Sequence, residues 1–340
     1  MPQPQQSLQR RRRAGAKKTA GRRFGAALAL CLLAVPALLP AQAALPAAEA
    51  EPAACATMRL AEPGWTDIAA TSALAGQVLQ ALGYQTEVRL LSVPITFSAM
   101  STGEVDVFLG LWRPTMTADA RPYLENGSIE TVRTNLAGAQ FGLAVPDYLY
   151  AAGLRRYSDI ARFGDALGHK IYAIEPGNDA NRILLDMVDK NAENLGDFSI
   201  KESSEPAMLV EAAAAIEDKR PIIFVAWQPH PMNARFKIRY LAGGEAYFGG
   251  AAKSASVETV VRKNYLKQCP NAGRFLQNLS FTLAGENALM AKIMAGEDPD
   301  EAAKAWLRAN PQILAAWLNG VKTRAGAPAL PAAEKAFAAP

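Results

Sequence analysis

Three tryptophans in this 340-residue chain stand where an apolar run gives way to a turn. They are Trp65 in Gly64-Trp-Thr-Asp67, Trp112 in the stretch VDVFLGLWRPTM (105–116) and Trp227 in the stretch PIIFVAWQPHPM (221–232). An indole face carries negative quadrupole charge and attracts cations, and a group of such faces recognises quaternary ammonium. A trimethylammonium has no N–H to offer a carboxylate, so aromatic faces suit its spread charge and methyl surface. Each desolvated face contributes up to about 2 kcal/mol. Three or four faces, with their apolar contact, are enough for micromolar binding, which needs about 8 kcal/mol net. Two polar residues occupy matching turns, Asp67 and Asn178. Each is a good helix cap. In a cleft, the aspartate would also attract a cation and accept a hydroxyl hydrogen bond, with the asparagine amide donating or accepting beside it. Isolated tryptophans are usually packing residues, and Trp306 and Trp317, on apolar faces of late helices, read that way.

Nothing in the chain has catalytic spacing. It holds two histidines, His169 and His230, far apart, and no zinc-protease, nucleophile-elbow or phosphate-loop motif. His230, between two prolines, reads as a loop residue. The expectation is no catalytic residue, no metal site and no cofactor.

The elements that would position the tryptophans repeat. A strand at about Met58–Ala61 runs into the Gly64 turn, a helix with Ile68, Ala75, Leu79 and Leu82 on one face follows, then a strand over 86–91, a short helix over 95–101 and a strand over 105–111. The plan restarts at Lys170: strand, the turn Glu175-Pro-Gly-Asn-Asp179, a helix with Ile183, Leu184, Met187 and Val188 inward, strand 198–201, helix 206–217, strand 222–226. Two βαβαβ units predict an α/β protein of two lobes, each a mostly parallel sheet flanked by helices. Ligands of such sheets bind outside the carboxyl ends of the strands, where the named turns lie. Facing lobes would bring those turns into one cleft.

The ends of the chain indicate export. Residues 1–43 carry a cationic stretch, an apolar run and Ala41-Gln42-Ala43, the order of a secretory signal peptide. That segment holds eight Lys and Arg and no acid, so its removal takes the net charge from +4 to −4. The basic character belongs to the export signal, and no nucleic-acid partner is indicated. After processing, Cys55 and Cys269 remain, and two cysteines in an oxidising compartment most simply form one disulfide. The Ala- and Pro-rich end, 322–340, reads as a disordered tail. Residues 55–137 with 236–321 are expected to form lobe 1, and 138–235 lobe 2.

These stretches, together with Val107–Met116, Ala137-Gly-Ala-Gln-Phe141, Ile174–Asp179 and Trp227–Asn233, resemble the choline-binding proteins of ABC importers, relatives of the glycine-betaine-binding proteins. The similarity runs from about Cys55 to Val321. It implies a type II periplasmic binding protein, monomeric, that closes over choline and hands it to a membrane permease. Glycine betaine or another quaternary-ammonium solute is the alternative ligand. The resemblance places an aromatic box on Trp65, Trp112, Phe141 and Trp227, hydroxyl ligands on Asp67 and Asn178, and the cysteine bridge on Cys55–Cys269. The chain departs from the family pattern at Phe141, where choline binders carry Tyr, and at Gln228, where Glu is common.

Overall fold

The computed structural model describes residues 51–249 and 254–338. The signal-peptide reading of 1–43 falls outside the described residues. Nine strands, β1 (Thr57–Glu62), β2 (Gln85–Leu90), β3 (Val107–Arg113), β4 (Ile129–Pro146), β5 (Lys170–Tyr172), β6 (Ser199–Lys201), β7 (Phe224–Gln228), β8 (Ile238–Tyr240) and β9 (Ala255–Arg262), form one path, β2-β1-β3-β9-β4-β7-β5-β6, with β8 beside β4.

The path is two half-sheets of the same plan. β2-β1-β3 and β6-β5-β7 are each parallel, in the order second–first–third. Their third strands are short and nearly all apolar, as in strands covered on both faces: all of β3 but Arg113 and all of β7 but Gln228 are buried, while the edge strand β2 is polar and largely exposed. The 18-residue β4 joins them. Its first part, Ile129 to Ala139, pairs antiparallel with β9, and Gln140 to Ala144 pair with β7. β9 returns the chain to the first half by pairing with β3.

The first helix, Thr66–Ala81, buries Ile68, Leu74, Ala75, Val78 and Leu79. Full burial of each large side chain is worth about 1.5–3 kcal/mol. Gly64 and Gly177, in the turns after β1 and β5, have φ of +95° and +85°, a region that side chains rarely adopt. The two halves thus use the same device to turn their first strand into a helix. Asp106, buried at the start of β3, accepts hydrogen bonds from Arg59 and Arg262 and so ties β1 to the end of β9. Burial alone would push its carboxyl up, but the two guanidiniums hold it below the usual range.

Two expectations are corrected. The chain does not return to the first half at Phe236: β8 pairs with Ala144–Pro146 of β4, in the second half-sheet. The alternation Ile238-Arg239-Tyr240 continues as an edge strand there. Nor is 322–340 a disordered tail. Residues Ala329–Phe337 form a helix, with Ala329, Ala333 and Phe337 buried. Those three lie four residues apart, on one helical face, and small residues allow close docking.

Cys55 and Cys269 are joined, with Cα atoms 5.6 Å apart. The bridge ties the segment before β1 to the start of helix Pro270–Asn278. Among the described residues no helix is long and apolar enough to cross a membrane.

Candidate ligand-binding site between the half-sheets

Trp112 and Trp227 are each the second-to-last residue of a half-sheet's third strand. Both following prolines, Pro114 and Pro229, have cis peptide bonds. Phe141 is the register partner of Trp227 across the antiparallel β4–β7 pair, so the two side chains leave the sheet on the same face. The rings form a continuous wall. Trp112 and Phe141 centroids are 5.6 Å apart at 39°, and Phe141 and Trp227 6.4 Å apart at 74°. Phe248 packs edge-on behind Phe141 at 5.6 Å. Trp65, at the start of the first helix, completes the enclosure. Trp65, Asp67, Trp112, Phe141, Ile174, Asp179 and Trp227 line one cavity.

The acids come from helix starts. Asp67 lies in the first turn of helix Thr66–Ala81, and Asp179 opens helix Asp179–Asp189. A helix N-terminus favours negative charge there. Trp112 Nε1 donates to Asp67 Oδ2 at 3.3 Å, while Asp67 Oδ1 and Asp179 Oδ2 are buried without a protein partner. Burial, and then the charge of Glu205, push the Asp67 carboxyl to about 7. Burial takes Asp179 to about 6. Glu175 accepts from Trp65 Nε1 at 2.9 Å and is pushed to about 7 by burial, with Asp179 and Glu205 adding to it. Glu286, on helix Leu283–Met294, is held well above the usual range by burial and then by Asp67. Among the described residues no Lys or Arg lines the cavity. An aromatic enclosure with unpartnered carboxylate oxygens and no cation is complementary to a soft, methylated cation, and an anion would meet repulsion.

Of the residues expected from the sequence, five line this cavity: Trp65, Asp67, Trp112, Phe141 and Trp227. Asn178 does not. Its Oδ1 accepts from Asn181 N at 3.0 Å, capping helix Asp179–Asp189, and its Nδ2 donates to the Glu175 carbonyl. Its neighbour Asp179 lines the cavity instead. Trp317 is buried packing, as expected, with its Nε1 donating to the Ser280 carbonyl.

Several contacts span the two halves and had no sequence signal. Besides Trp65–Glu175, Arg182 on helix Asp179–Asp189 makes a two-pronged bond to Asp119 on helix Thr117–Glu125, at 3.0 and 2.9 Å, and donates to the Thr115 carbonyl at 2.9 Å. Glu205 accepts from Thr66 N at 3.0 Å. The halves are closed on each other around the cavity.

Two α/β lobes joined by a crossing strand, with an aromatic, acid-edged cavity at the strand ends between them, define a two-lobe solute-binding protein of type II. Residues 56–309 match the family described as the substrate binding domain of ABC-type glycine betaine transport systems, and the chain belongs to that family. Its members are transport binding proteins. An ABC-transporter choline-binding protein solved with choline is 50% identical, with a TM-score of 0.83 over 84% of this chain and all of that one. The same kind of protein in an unliganded semi-closed conformation is 49% identical, with a TM-score of 0.77 over 84% of this chain and 99% of that one. The glycine betaine/carnitine transport binding protein GbuC of Listeria monocytogenes is 34% identical over 125 residues, which span 37% of this chain and 41% of that protein.

Proposed function

We propose that this chain is a periplasmic receptor that encloses choline between its lobes and delivers it to the membrane permease of an ABC importer, acting as a monomer and catalysing no reaction. The observation that carries the reading is the Asp67 carboxylate, with one oxygen free, inside a cavity walled by Trp65, Trp112, Phe141 and Trp227. The trimethylammonium sits against the four aromatic faces. Asp67 is ionised by the arriving cation and accepts the hydroxyl hydrogen bond. Asn178 caps helix Asp179–Asp189 and so positions the neighbouring Asp179, whose carboxylate edges the same cavity.

Choline is favoured over glycine betaine because the two share a head group and differ at the other end. A betaine carboxylate would meet Asp67 and Asp179 in a partly dehydrated cavity, where like charges repel more than in water. The half-identical choline complex supports the same choice. Export by the N-terminal signal would place the protein where such receptors work. A thermal-shift panel of choline, glycine betaine, carnitine and putrescine tests the reading. Choline should raise the melting temperature most. A larger rise with glycine betaine would transfer the assignment to betaine, and no rise with any of the four would overturn it.

A further inference from the structure

The first helix of lobe 1 has no cap of its own. Its N-cap residue, Trp65, makes no side-chain capping bond, yet the helix start is buried in the closed protein. A buried N–H without an acceptor costs about 1–3 kcal/mol. The acceptor comes from the other lobe. Glu205, in the first turn of helix Glu205–Glu217, accepts from Thr66 N at 3.0 Å through Oε2, and its Oε1 accepts from the Thr66 hydroxyl.

A third donor aims this carboxylate. His230 Nδ1 accepts from Met232 N at 3.0 Å, so the ring hydrogen is on Nε2, which donates to Glu205 Oε1 at 3.1 Å. Glu205 and His230 belong to lobe 2, and both are buried. The imidazole also stands edge-on to Trp227, with centroids 4.9 Å apart. Thr66 lies between Trp65 and Asp67 in the chain. One carboxylate therefore joins the segment that carries two cavity residues of lobe 1 to the turn that follows Trp227 in lobe 2.

We propose that Glu205 is the closure latch of the binding site: oriented by His230 within lobe 2, it caps the first helix of lobe 1 only when the lobes close, and so holds the ligand in. This rests on the reading of the cavity as a quaternary-ammonium site. The bonds to Thr66 exist only in the closed form, whereas the His230 bond persists when the lobes separate, so the latch acts on release. Opening sends the Thr66 donors and two acceptor positions of Glu205 back to water. The latch also screens its trigger. Closure brings the Glu205 charge toward Asp67, a repulsion that a cation in the cavity offsets and an anion would increase. Arg182–Asp119 supports closure from a half-exposed position, where an ion pair is worth less.

Stopped-flow tryptophan fluorescence with choline tests the latch on wild type and Glu205→Gln, together with the melting temperature of each without ligand. The amide keeps the volume but loses the charge and one acceptor. The dissociation rate should rise roughly tenfold or more with the association rate little changed, because release controls most affinity differences within one site. The unliganded melting temperature should hold, because the open form does not use the Thr66 bonds. Thr66→Val reaches the same contact from lobe 1, keeps the backbone N–H, and should raise dissociation by less; it decides the matter if Glu205→Gln does not fold. Unchanged dissociation in the variant, or a lower unliganded melting temperature with unchanged dissociation, would make Glu205 a partner of His230 and nothing more. Failure of wild type to bind choline would overturn the cavity reading and the latch together.

Discussion

The indole N–H of Trp112 points at the Asp67 carboxylate, 3.3 Å from Oδ2. One aromatic wall residue therefore also orients the acid, leaving Oδ1 for a ligand. Trp112→Phe keeps an aromatic face and removes the donor. It should weaken choline binding about tenfold, or about 1.4 kcal/mol. Trp112→Ala, like Trp65→Ala and Trp227→Ala, should cost about 2 kcal/mol or more by adding lost cation–π contact to lost packing. Calorimetric titration of the variants checks both; wild-type affinity in Trp112→Phe would remove the orienting role.

Asp67→Asn separates its two tasks. The amide still packs beside Trp112 but no longer attracts a cation or repels an anion. Choline should weaken and glycine betaine should change less, so the ratio of their dissociation constants should shrink. An unchanged ratio would show that Asp67 takes no part in selection.

The raised carboxyls set the pH dependence. Asp67 moves from 3.8 in a free chain to about 7 in the closed protein. The folded state then binds more protons than the unfolded one across that range, so stability falls as pH rises from about 4 to 7. Each such group contributes at most about 1.4 kcal/mol per pH unit. Choline favours the ionised form. Its affinity should therefore weaken below pH 7, and its binding should release protons there, measurable by calorimetry in buffers of different ionisation heat. Affinity that stays flat from pH 8 to pH 5.5, with no proton release, would mean Asp67 is already ionised.

The Cys55–Cys269 bridge lies outside the cavity lining. In the full chain one reactive thiol, Cys31, should titrate after denaturation without reductant. Reduction should lower the melting temperature, since closing a loop this long adds about 5 kcal/mol in the chain-entropy model. Choline affinity should hold.

The C-terminal helix contributes stability and not binding. Phe337→Ala should cost about 3 kcal/mol and leave choline affinity unchanged. A melting temperature equal to wild type would show that the helix is undocked in solution.

Much of the fold was legible because it repeats local patterns. Apolar runs, Gly-containing turns and helical spacing gave both βαβαβ units, and the strand ends gave three of the four aromatic walls. Phe141 had no such mark, being mid-strand on β4, and entered through the family resemblance. The place of Trp65 in the cavity was legible; Asp179 and Glu205, in the first turns of their helices, and Glu175, in the turn before one, were not, because an acid there looks the same whether it serves its own helix or another lobe. His230 sat between prolines and read as a loop, and only the fold shows Glu205 beside it. Composition misled at the C-terminus: Ala329, Ala333 and Phe337 share a face although the segment has little to bury.

Calorimetric titration of the wild-type protein with choline and with glycine betaine at pH 8, above the values of about 7 for Asp67 and about 6 for Asp179, tests the central claim. Choline should bind with micromolar or tighter affinity, about 8 kcal/mol or more. Glycine betaine should bind at least about tenfold more weakly, because its carboxylate meets Asp67. Equal affinities, or tighter binding of betaine, would contradict it.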